Sequence, residues 1–83
     1  MDQWMTLDAL PPGTEARIQE NRAPGGMGRR LTDLGFVPGE TVRCLMRSAG
    51  GDPAAYWVRG TVIALRRQDA RGLVVGAAEK EGP

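Results

Sequence analysis

The stretch from Gly28 to Gly39 constrains this chain most, because twelve residues specify a helix, its stop and the launch of the next strand. Met27, Leu31 and Leu34 fall at i, i+4 and i+7, which sets three large apolar side chains on one helical face and leaves Arg29, Arg30 and Asp33 to water. One apolar face requires a sheet beneath it. Gly35 stands where a left-handed residue closes a helix, and Phe36 follows as the apolar contact that accompanies such a cap. Pro38-Gly39 suits the centre of a type II turn, since proline presets φ at the first position and glycine accepts positive φ at the second.

Around this helix the sequence reads as strand. Thr14 to Gln19 alternates, with Ala16 and Ile18 on one face. Thr41 to Arg47 alternates likewise, placing Val42, Cys44 and Met46 inward and Arg43 and Arg47 outward. Ala55 to Arg59 has aromatic and β-branched content, and Gly60 breaks it. Thr61 to Leu65 is apolar at nearly every position and is expected to be a fully buried strand; Leu73 to Val75 supplies a fifth. Between these, Thr6 is expected to cap a short turn through Leu7–Leu10, and Asn21 to Gly28 reads as a mobile, glycine-rich connection. Ser48 to Pro53 reads as a loop, Arg66 to Gly72 as one polar helical turn, and the segment from Gly76 onward should fray. The expectation is a mainly β fold with one short helix: a small SH3-like barrel of about five strands, one domain over 1–83 with its core at about 6–76.

Size and charge narrow the function. With 83 residues the chain holds one modest core and no cleft between two layers. Eleven basic residues oppose ten acidic ones, for a net charge of +1, so no global field draws it to nucleic acid or an anionic membrane. All the cations but Lys80 are arginine, which favours planar contacts to carboxylate or phosphate. Cys44 is the sole cysteine and reads as a buried apolar residue. No apolar run reaches membrane-helix length and Met1 to Trp4 lacks the features of a signal peptide, so a soluble, cytoplasmic protein is expected.

An ordered set of motifs resembles the FeoA-type proteins, cytosolic accessories of bacterial ferrous-iron transport. The set comprises Leu10 to Gly13, Arg30-Leu31 through Leu34-Gly35 to Pro38-Gly39, and Gly51-Asp52-Pro53. It continues with Ala64 to Arg67, Asp69-Ala70 and Leu73 to Val75. The resemblance implies an SH3-like barrel and association with the cytosolic region of a FeoB-type transporter, a membrane protein with a GTP-binding domain. It places the chain in the cytoplasm, at the inner face of the membrane through that partner. Without preceding DNA-binding helices, the chain looks like the stand-alone accessory rather than the similar domain that ends some metal-dependent repressors.

Histidine is absent, and no serine or threonine adjoins a candidate base, so triads and acid–base dyads are missing and a non-enzyme is expected. Metal sites built on histidine or several thiolates are impossible, and Asp33 with Glu40 reads as solvated surface; no metal or cofactor is expected. Gly25 to Arg30 lacks the lysine-hydroxyl ending of a phosphate loop. Tyr56 and Trp57 are adjacent in a strand, so at most one is core and the other marks a contact surface. The candidate partner surface is the glycine-rich approach and exposed start of the helix, with Arg29 and Arg30 as polar contacts. A second placement is the Gly51-Asp52-Pro53 loop with Trp57, and Arg66-Arg67 forms another basic pair. An arginine finger toward the partner's nucleotide is a further role the sequence assigns to no single residue. The alternative function is nucleic-acid binding through Arg17, Arg43 and Arg47, which share outward parity.

Overall fold

The computed structural model describes residues 4–77. Six antiparallel strands form one sheet: β1 (Trp4–Thr6), β2 (Glu15–Asn21), β3 (Thr41–Arg47), β4 (Ala54–Val58), β5 (Thr61–Leu65) and β6 (Leu73–Ala77), in the order β1-β6-β2-β3-β4-β5. Among the described residues two α-helices interrupt them, α1 (Gly25–Leu34) and the single turn α2 (Arg67–Ala70), with 3-10 turns at Leu7–Ala9 and Ala49–Gly51. The sheet curls around a core that includes Leu7, Ile18, Leu31, Phe36, Val42, Cys44, Tyr56, Val58, Leu73 and Val75, all at most 1% exposed. The mainly β, SH3-like reading of the sequence stands.

The helix stop is built as its residues require. Gly35 adopts φ 112°, the Phe36 N–H donates to the Leu31 carbonyl at 3.0 Å and the Gly35 N–H to Thr32 at 3.0 Å, the paired closure of a Schellman motif. Phe36 is fully buried with Leu31. The following turn has Gly39 at φ 94°, with the Glu40 N–H on Val37 at 3.0 Å. It also grips β2, since Gly39 donates to Ile18 and Ile18 to Glu40, each at 2.9 Å. The turn thus fixes the angle at which β3 leaves the helix.

Several expectations are corrected. A sixth strand exists because Trp4, Met5 and Thr6 pair with Gly76, Val75 and Val74 of β6; three residues are too few to show an alternation. The same pairing holds Gly76 and Ala77 in β6, so the expected fraying does not begin at Gly76; the rest of that segment, 78–83, lies outside the described residues. Thr6 does not cap the turn over Leu7–Ala9: its hydroxyl donates to the Asp8 carboxylate. The helix begins at Gly25, inside the segment read as mobile, because Asn21 ties both ends of that segment together. Its amide donates to the Gly28 carbonyl at 2.9 Å and the Thr32 hydroxyl at 3.2 Å, while its oxygen accepts from the Ala23 N–H at 3.0 Å. Gly28 is required there, since a Cβ would lie 2.5 Å from the Ala23 carbonyl oxygen.

Met46 points outward and is 59% exposed, because a bulge between Cys44 and Met46 shifts the register against β4 and cancels the parity predicted from Val42 and Cys44. Thr61–Leu65 is a strand but not a buried one. It is the border of the sheet, with only Leu65 buried, and its run of apolar residues reflects an uncovered edge rather than a covered centre.

Candidate functional site

Arg29 and Arg30 lie in the middle of α1, not at its start, since the helix begins at Gly25. Both are exposed and neither takes part in an ion pair among the described residues. Leu31, the next residue, carries the buried face, so the arginines are presented by a helix whose apolar side is spent on the core, with Met27 and Leu34 packed against it.

Asp52 has a structural task. Its carboxylate accepts the Arg67 N–H at 2.9 Å, so a residue from the β3–β4 connection satisfies one of the free donors at the start of α2. The Asp52-Pro53 bond is cis. The Arg67 guanidinium lies close over Gly51, 2.9 Å from where a Cβ would stand, so a side chain at that position would displace it.

Tyr56 and Trp57 divide as strand geometry demands: Tyr56 is 1% exposed and Trp57 is 45% exposed. Burial pushes the Tyr56 phenol up to about 12, and its hydroxyl reaches the Leu7 carbonyl at 3.5 Å. Burial likewise raises the Cys44 thiol, opposite Tyr56 on β3, consistent with a packing residue rather than a nucleophile. Trp57 faces outward between Arg43 on β3 and Val62 on β5. The next row on that face is Met46, Ala55 and Ala64. Trp57, Val62 and Met46, at 45%, 56% and 59% exposure, therefore form one apolar surface with the two alanines between them.

The four residues proposed from sequence do not converge. No hydrogen bond or ion pair joins any two of Arg29, Arg30, Asp52 and Trp57 among the described residues. Val62 and Met46 escaped the sequence reading because both were assigned to the core; nothing in the run around Leu45 signals a bulge, and an apolar edge strand has the same composition as a buried one.

The arginine set suggested for nucleic acid is taken apart. Arg47 is half-buried and donates to the carbonyls of Asp8 and Leu10, each at 2.7 Å, while Arg43 pairs with Glu15 at 3.2 Å. Of the three, Arg17 alone has no ion pair or side-chain hydrogen bond among the described residues, and one arginine makes no phosphate-tracking stripe. Among the described residues no three of His, Cys, Asp and Glu come together as metal ligands, and no helix is long and apolar enough to cross a membrane.

The FeoA domain family matches residues 5–76. A fusion of Fe(2+) transport protein A with Fe(2+) transporter FeoB from Porphyromonas gingivalis is 31% identical over 71 residues. That match covers 86% of this chain and 8% of the fusion protein, so the chain spans a small part of that relative. Among solved structures, the zinc complex of FeoA from Stenotrophomonas maltophilia, described as a procaryotic SH3 domain protein and a candidate activating factor of ferrous iron transport, superposes with a TM-score of 0.79 at 40% identity. It covers 86% of this chain and 88% of that one. FeoA from Chlorobium tepidum gives a TM-score of 0.81 at 34% identity, covering 94% of this chain and 75% of that one.

Proposed function

This chain belongs to the FeoA family, an assignment that ties it to ferrous-iron transport, and on that premise we propose that it is a non-enzymatic cytosolic accessory docking on the cytosolic region of a FeoB-type transporter. The observation that carries the reading is the relative in which a similar domain and the transporter are one polypeptide, an arrangement that keeps two interacting parts at high effective concentration. The surfaces available for docking support it. Arg29 and Arg30 offer planar donors to carboxylates, and Trp57 with Val62 and Met46 offers an apolar anchor of the kind that concentrates binding energy in interfaces. Asp52 contributes by holding α2 and its own loop in place beside this face. Docking of this kind would act on iron uptake through the partner's GTP hydrolysis, with the accessory supplying contacts and no chemistry of its own.

Titration calorimetry of the full chain against the transporter's soluble cytosolic region, and co-purification with the intact membrane protein, test the reading. Saturable 1:1 association in either is expected; absence from both overturns it. Arg29→Ala with Arg30→Ala should weaken that association and leave the melting midpoint nearly unchanged, because exposed, unpaired charges contribute little to folding. A folded double variant that binds like the parent would remove the helix from the interface and leave the Trp57 face.

A further inference from the structure

The Trp57 face ends at a strand border whose backbone is as available as its side chains. β5 pairs with β4 alone, through a two-residue hairpin in which Arg59 and Gly60 take φ 50° and 80° and Val58 opposes Thr61. Such a hairpin is closed by a hydrogen-bonded pair, and in an antiparallel ladder bonded and non-bonded pairs alternate. Thr61, Ile63 and Leu65 therefore direct their N–H and C=O groups to β4, and Val62 and Ala64 direct theirs away from the sheet. Among the described residues no backbone hydrogen bond outside the ladders reaches Val62 or Ala64. The side chains of the same two residues lie on the outer face beside Trp57 and Ala55.

Sheet borders are ordinarily blunted by shortness, charge, proline or a bulge. The other border follows this rule, since β1 is only three residues long. β5 has five residues with no charge, no proline and no register shift. From this border we infer that β5 is a strand-addition site, accepting an extended segment of another protein that alternates apolar side chains and carries carboxylates near its ends.

The charge around the edge selects that occupant. β3, β4 and β5 contain no aspartate or glutamate. Exposed Arg59 and Arg66 flank β5, one at each end, and neither is in an ion pair among the described residues. Glu15 is engaged by Arg43, Asp52 accepts the Arg67 N–H, and Asp69 lies in α2 beyond Arg66. A second copy added antiparallel with Val62 of each chain opposite Ala64 of the other would set Gly60 opposite Arg66 and Arg59 opposite Arg67, crowding three arginines at each end of the seam, and juxtaposed like charges are unfavourable. An acidic segment meets the same arginines with complementary charge.

This inference deepens the docking reading by naming how a partner segment is held, and rests on it only for the expectation that such a partner exists. Panning the full chain against a random heptapeptide display library tests the edge without the transporter. Enriched peptides should alternate apolar and polar positions with Asp or Glu toward the ends. Ala64→Pro, which removes an edge N–H and none of the β4 ladder, should weaken a synthetic copy of the selected peptide by about tenfold, the scale of a lost hydrogen bond with its local fit. Val62→Glu, a change at an exposed side chain, should weaken it as much if the proline variant fails to fold. Lack of enrichment, selection of basic or proline-rich peptides, or binding unchanged in the folded variants overturns the inference, as does a concentration-dependent dimer in sedimentation. The transporter titration can fail while this selection succeeds, and the reverse, so the two readings fall separately.

Discussion

Arg47 and Asp52 are charged residues whose work is done on backbone. Arg47 closes two carbonyls of the turn that precedes β2, and Asp52 closes an N–H of α2, so each joins parts of the chain distant in sequence. Strand parity sends Arg47 outward, and no periodicity reveals a bond to a backbone group many residues away; this is why the sequence reading grouped it with Arg17 and Arg43. Leu31 is the opposite case, legible from spacing alone and fully buried as expected. Leu31→Ala should lower unfolding free energy by roughly 2–5 kcal/mol, read from denaturant melts, because the surrounding core collapses only partly into the space left. Tyr56 gives a pH signature. Its phenol ionises at about 12 in the folded chain against an ordinary 10.0, so its contribution is complete below pH 10 and is lost as pH rises toward 12. Denaturation midpoints measured from pH 8 to 12 should fall above pH 10, with a shallower fall in Tyr56→Phe. An identical slope in that variant would assign the alkaline loss elsewhere, the buried Cys44 thiol being the next group with a raised pKa.

At the scale of elements, α1 and α2 depend on different sources of order. The stop of α1 is written locally in Gly35 and Phe36, while its start relies on the Asn21 side chain reaching forward to Gly28 and Thr32. α2 has four residues, too few to persist alone, and relies on buried Ala70 and on the Asp52 carboxylate. Asp52→Ala should therefore cost about 1 kcal/mol and loosen α2 first, visible as faster hydrogen exchange at Arg67 to Arg71 than in the rest of the chain. The positions of β2 and β3 were readable because each is covered on one face and alternates accordingly, and that of β4 from its aromatic and β-branched content. β1 is too short to alternate, the bulge in β3 erases parity beyond Cys44, and β5 is apolar on both faces for reasons that only its place at the border explains. Hence the helix arginines and Trp57 of the candidate site could be named from sequence, whereas Val62, Ala64 and Met46 could not.

For the whole molecule, consecutive strands β2 to β5 form a meander, and β6 returns from the far end of the sequence to insert between β1 and β2. Removing residues 1–6 takes β1 away and opens the edge of β6 along Val74, Val75 and Gly76, the partners of Thr6, Met5 and Trp4. The shortened chain should melt at lower temperature and aggregate at concentrations the parent tolerates; an unchanged melt with monodisperse scattering would show that β1 contributes neither stability nor edge protection. The two ends of the described chain lie on adjacent strands at one side of the sheet, Trp4 beside Gly76 and Ala77 one residue on, while β5 forms the opposite border. A domain arranged in this way can travel as a passenger. It can be grafted onto a host protein by either end, carried inside a host loop, or relinked end to end and cut open elsewhere, and its far border still faces outward.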